Sequence, residues 1–162
     1  MKRILPLLLM LVLCLALCAC KSNKEESKYI GTYTHNYTSY YRTVGDEKFT
    51  VAYSLVLNSG GTGNLTLNAQ ESAKCSSNAI YYYEINKGDI LLEYELQWKV
   101  VDGYLVIDGV GRKYFSTLYP GSYHISKFGG EGEQITMSES YQLKGNQLVN
   151  VTGDYAEYTK VD

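Results

Sequence analysis

Polar and apolar positions alternate most cleanly over residues 92–100, where Leu92, Tyr94, Leu96, Trp98 and Val100 are separated by Glu93, Glu95, Gln97 and Lys99. A period of two sends successive side chains to opposite faces of an extended chain, so this segment predicts a strand with one buried and one wet face. Ile135, Met137, Tyr141 and Leu143 repeat the pattern against Thr136, Ser138, Ser140 and Gln142, and Glu139 falls on the apolar side. Weaker runs of β-branched and aromatic residues predict further strands over 29–43, 49–58, 64–69, 79–86, 104–115, 122–128, 147–151 and 155–161. Helical spacing is sustained nowhere, and residues 68–78 read as a short helix or a long loop.

Three stretches share one plan: an aromatic-led strand, a tight glycine turn and a return strand with an aliphatic residue just after the turn. They centre on Gly88-Asp89 between Tyr83 and Leu91, on Asp102-Gly103 between Trp98 and Ile107, and on Gly145-Asn146 between Tyr141 and Val149. Asp-Gly suits a type I′ turn and Gly-Asn a type II′ turn, because glycine accepts positive φ without a Cβ clash. Tight turns force antiparallel pairing of sequential strands, which makes a meander. A meander of this length keeps two exposed edges unless the sheet curls and closes. The predicted fold is therefore all-β, a single antiparallel up-and-down barrel of 8–10 strands. A β-sandwich is the alternative; it needs long crossovers, and only residues 68–78 offer one.

The N-terminus follows different rules. Lys2 and Arg3 precede an apolar run over 4–19 broken only by Pro6, and Lys21, Ser22 and Asn23 end it, which is the layout of a signal peptide. A membrane-spanning helix needs about 20 apolar residues, and a retained anchor of that kind is the alternative. The run closes on Leu17-Cys18-Ala19-Cys20, which resembles the bacterial lipobox. That resemblance implies diacylglyceryl transfer to the Cys20 thiol, cleavage after Ala19, and acylation of the new amino group by a chain such as palmitate. Two or more chains hold a protein stably on a bilayer where one holds it only marginally. The expected organisation is a signal peptide over 1–19, a lipidated cysteine and polar tether over 20–28, and a barrel domain over 29–162. The expected location is the extracytoplasmic face of the cell membrane or outer membrane, held to the cell envelope by lipid.

Removing residues 1–19 leaves 143, enough to bury about two-thirds of the unfolded surface without disulfide or metal. Losing Lys2 and Arg3 leaves 13 basic against 17 acidic residues, a net charge of −4 with the two signs interspersed. A nucleic-acid partner calls for a basic stripe, and none is present. With Cys14 and Cys18 removed and Cys20 lipidated, Cys75 has no disulfide partner. Neither His35 nor His124 lies near it in sequence to lower its pKa, so it reads as inert. Two distant histidines give no zinc spacing, and neither metal nor cofactor is expected.

The opening Gly31-Thr32-Tyr33, the Gly60-Gly61-Thr62-Gly63 turn, and the hairpins at 98–107 and 141–149 together resemble the lipocalin-like, calycin-type barrels of bacterial lipoproteins, many of unknown function. The resemblance covers most of residues 29–162 and implies a closed barrel.

An eight-stranded barrel is either filled by side chains or holds one small ligand. Tyr94, Trp98, Glu139 and Tyr141 are the expected ligand-lining residues, with Glu139 as the polar contact that orients a bound molecule. A bulge that turns Glu139 outward, or a carboxylate bonded to a tyrosine hydroxyl inside a packed core, are the other readings. The 17 tyrosines include five over 29–41 and three at 81–83; strands select aromatics for cross-strand pairing, and a tyrosine-rich face also suits a partner. Ser122, His124 and Ser126 share one strand face, but nothing marks an acid partner or an oxyanion hole, and no Gly-x-Ser-x-Gly is present. Gly129-Gly130-Glu131-Gly132-Glu133 reads as a flexible turn, since calcium asks for six or more ordered oxygens. The expected activity is therefore binding or sensing of a small apolar ligand, not catalysis. The alternative is a protein–protein interaction module, an inhibitor or accessory subunit presenting tyrosines.

Overall fold

The computed structural model describes residues 24–39, 49–76, 82–114, 132–151 and 157–161. They form ten strands: β1 (Gly31–Ser39), β2 (Phe49–Leu57), β3 (Thr62–Ala69), β4 (Ala73–Ser76), β5 (Tyr82–Ile85), β6 (Ile90–Val101), β7 (Tyr104–Lys113), β8 (Glu133–Lys144), β9 (Gln147–Asn150) and β10 (Tyr158–Val161). Eight of them close a barrel in the order β1-β10-β9-β8-β7-β6-β3-β2, and β4 and β5 pair with each other in a separate two-stranded sheet. Every pairing is antiparallel. The first and last strands meet at Thr32↔Val161, Tyr33↔Lys160 and Thr34↔Thr159, so the barrel has no free edge. The barrel is of the kind that a lipocalin-like fold has.

The turns behave as their residues require. Asp102 and Gly103 both take positive φ, 52° and 80°, which only a primed turn of this hand accommodates between β6 and β7. Gly145 at 64° begins the two-residue link from β8 to β9, where Lys144 pairs with Gln147.

Two expectations need correction. The described part of the 68–78 stretch, residues 68–76, is neither helix nor structureless loop: it holds the end of β3 and all of β4. Ala-Lys-Cys-Ser is too short and too weak in strand formers to show a period, and its pairing with β5, not its own propensity, makes it a strand. The Gly88-Asp89 turn exists but does not join a hairpin, because β5 pairs with β4 while β6 pairs with β3 and β7. The Gly88 amide donates to the Ala69 carbonyl and the Ala69 amide to the Asp89 carbonyl, which tie the turn to the end of β3. The last strand that the sequence suggested before β8, at 122–128, lies outside the described residues.

Strand direction gives the barrel two unlike ends. The short links at 58–61, 102–103 and 145–146 gather at one, and the longer connections leave from the other. At the short-link end the chain enters through one helical turn at 24–26, part of the segment expected to be a plain tether. The amides of Lys28 and Tyr29 donate to the carbonyls of Glu25 and Glu26 and close that turn. Tyr29 then plugs the floor. Its hydroxyl donates to the Gly103 carbonyl (2.9 Å), and the Tyr33 hydroxyl donates to the Tyr29 carbonyl (2.9 Å). Above the plug lies the main core, with Tyr33, Leu55, Leu57, Leu96, Leu105, Ile107, Tyr141 and Leu148 almost wholly buried. A second apolar cluster of Val51, Leu67, Ala69, Ile85 and Leu91 lies at the long-connection end, where β5 brings in Ile85. A bulge in β6 opposite Leu67 and Asn68 lets Leu91 join it while Ile90 stays exposed.

Candidate functional site

Between the two apolar clusters, inward-facing polar side chains meet midway along the barrel. Glu139 is on β8, where the alternation that buries Tyr141 also turns Glu139 and Met137 inward. Register sets Glu139 beside Ile107, a fully buried residue, and Tyr141 beside Leu105. From β9 comes Asn150, paired with Tyr141, and from β10 comes Tyr158, paired with Leu148. Strands β1 and β2 add His35 and Tyr53, which are partners in the ladder, and β6 adds Tyr94.

Their contacts form one network. Tyr141 donates its hydroxyl to Glu139 Oε2 in a short hydrogen bond, and Asn150 Nδ2 donates to the same oxygen at 3.2 Å. The Tyr158 ring stands edge-on to Tyr141 (5.9 Å, 75°) and to Tyr53 (6.2 Å, 78°). His35 lies 6.1 Å from Tyr158 and 6.2 Å from Tyr53 between ring centres. Its Nδ1 is 3.0 Å from the Glu157 carbonyl, to which a ring N–H donates. Such edge-to-face pairs are favoured by the ring quadrupoles.

The two buried hydroxyls of this seam, Tyr141 and Tyr158, hold their protons tightly. Burial raises the Tyr141 pKa far above the ordinary 10.0, and Tyr158 and Glu139 push it the same way while the hydrogen bond with Asn150 opposes them. Burial also raises Tyr158, with Tyr53, Glu139 and Tyr94 adding to the shift and the hydrogen bond to Tyr141 working against it. Neutral hydroxyls beside a carboxylate are what low dielectric favours, since a second charge there would be desolvated and repelled.

Of the four residues expected to line a ligand, three come together. Glu139 and Tyr141 are bonded, and Tyr94, partly buried, packs against the core cluster that holds Tyr141 and Tyr158. Trp98 differs: it shares a cross-strand row with Ile107 and Glu139, but its indole N–H donates to the Thr62 carbonyl (2.8 Å) and its ring belongs to the packed core. Sequence reasoning missed His35, Tyr53, Asn150 and Tyr158, whose convergence depends on closure of β1 onto β10.

The inward-facing set is not sealed. His35, Tyr53, Tyr94, Met137, Glu139 and Asn150 all keep partial solvent exposure, whereas the floor residues Tyr33, Leu105, Ile107 and Leu148 keep almost none. Two glycines on the inward face of β7 shape the seam. A methyl at Gly109 would come within 2.7 Å of Leu96 Cδ2 and 2.8 Å of Met137 Cγ, and one at Gly111 would strike the Glu93 carbonyl and the Tyr94 ring.

Elsewhere, Tyr114 donates a short hydrogen bond to Glu93, which raises its own pKa. Tyr104 is the one exposed tyrosine among the described residues, at 41%. The side chains of the tyrosines at 37–41 and 81–83 lie outside the described set, as do Cys20, Ser122, His124, Ser126 and Gly129-Gly130-Glu131. Cys75 lies in β4. Among the described residues no group of three or more His, Cys, Asp or Glu is placed to hold a metal, and no helix is long and apolar enough to cross a membrane. Comparison with protein-family models, with curated proteins and with solved structures gives no match.

Proposed function

We propose that this protein is a lipoprotein, anchored by lipid on Cys20 at the extracytoplasmic face of a membrane, whose barrel takes up a small and mainly apolar ligand. The supporting observation is the contrast within the barrel: residues on the inward faces of β1, β2, β6, β8 and β9 stay open to water above a floor that is filled and plugged. A barrel packed only for stability would place aliphatic side chains at those positions, because buried polar groups are costly unless bonded. Here a carboxylate and several hydroxyls stand where a guest would be oriented, between apolar walls above and below. Ligand sites are typically apolar with a few well-placed polar groups. The protein acts in this reading by binding or sensing, not by catalysis.

The test is mass spectrometry of the natively purified protein under non-denaturing conditions. One small molecule bound per chain, released on unfolding, is expected. A chain that carries nothing after purification, and takes up none of a panel of apolar compounds, would remove the proposal.

A further inference from the structure

The charge at the centre of the seam has no counterion from its bonded partners. Among the described residues Glu139 is hydrogen-bonded to Tyr141 and Asn150, both neutral donors. Lys160, also on an inward face, is engaged at the floor: its Nζ stands 5.7 Å from the Tyr33 ring centre and bonds to the Lys28 carbonyl. An inward carboxylate between two apolar clusters is stabilised most by a cation that can reach it. The walls around it are also suited to one. Tyr141 and Tyr53 each stand near-perpendicular to Tyr158, at 75° and 78°; Tyr141 and Tyr158 are buried, and Tyr53 is the ring of the three that keeps partial exposure. Aromatic faces attract ammonium groups, most of all where water is partly excluded. The hydroxyl oxygens of tyrosine accept N–H donors as well.

We infer that the seam receives the head of an organic cation, a protonated or quaternary amine, against the partly exposed Glu139 and Tyr53, with Tyr141 and Tyr158 packed behind them and the apolar remainder of the ligand along Met137. The inference rests on the reading that the barrel takes a small ligand, and it assigns that ligand a chemical class. A neutral alcohol would keep a hydrogen bond to Glu139 but lose the charge pairing, and a carboxylic acid would be repelled.

The experiment is isothermal titration of the full chain with three probes of equal length, hexylammonium, hexanol and hexanoate, repeated on Glu139→Gln. Hexylammonium is expected to bind at least about ten-fold more tightly than hexanol, and hexanoate more weakly than either. Glu139→Gln, which keeps the shape and removes the charge, is expected to abolish the preference and leave hexanol binding in place. Equal binding of the cation and the alcohol overturns the cation assignment and leaves the small-ligand reading standing. Binding of none of the three overturns both. If Glu139→Gln fails to fold, the comparison of probes on the unmodified chain still decides the question.

Discussion

Tyr141 and Glu139 are two residues apart on β8, point to the same face, and share a hydrogen bond in which the tyrosine hydroxyl is the donor. The bond explains how a carboxylate stands on the inward face of a strand: its charge is met by a hydroxyl and an amide supplied by β8 and β9. Removing the hydroxyl takes away one donor and leaves the acceptor in place. Tyr141→Phe should therefore cost about 1–3 kcal/mol of stability, as for any buried acceptor left short of a partner. In Glu139→Gln the same Phe change should cost less. A double-mutant cycle by chemical denaturation measures the difference, and additive effects would show that the pair is not coupled.

Alkaline pH should unfold the barrel. Tyr141, Tyr158 and Tyr33 have pKa values raised above the unfolded value of 10.0, with Tyr33 pushed up to about 12 by burial and by Tyr29. A raised folded-state pKa means that the native state holds its proton more tightly. The stability it contributes is complete below pH 10.0 and falls as pH rises above it. Tyrosinate absorbance from these residues should appear together with loss of the strand signal in circular dichroism. Their ionisation near pH 10 with the strand signal intact would contradict their burial.

The floor depends on Tyr29, which is buried and bonded to the link between β6 and β7. Tyr29→Ala should cost about 3 kcal/mol or more, the usual loss when a large buried ring is removed from a packed site. Tyr29→Phe keeps the ring and should cost about 1 kcal/mol for the lost hydrogen bond. Urea denaturation separates the two; equal costs would mean that the plug contributes little packing.

Anchoring is tested separately from the barrel. Cys20→Ser should move the protein from the membrane fraction to the soluble fraction without changing its fold. Retention in membranes at high salt would contradict lipidation of that cysteine.

Much of the barrel was legible because strand faces write themselves into the chain. In β6 Leu96 and Trp98 are buried while Glu95, Gln97 and Lys99 are exposed, as the alternation predicts. The tight turns at Asp102-Gly103 and Gly145-Asn146 carried their own geometry. What failed was non-local. The Leu91 bulge shifts the face of one residue without any mark in the pattern, and β4 depends on a partner strand for its existence. The site divides the same way. Glu139 stood out because a charge broke an apolar row within one strand. His35, Tyr53 and Tyr158 meet only because β1 pairs with β2 on one side and β10 on the other, a closure that no local sequence feature specifies.

The most direct test of a barrel that receives a guest is to fill the seam and ask whether binding is lost. Met137 is half-buried, faces inward and packs on the main core, so Met137→Trp places a large ring where the ligand would lie. Titration with a neutral apolar fluorophore, phenylnaphthylamine, should give one saturable site in the unmodified protein and none in Met137→Trp, with circular dichroism unchanged between them. Equal dye binding by both proteins, or none by either, would contradict the account.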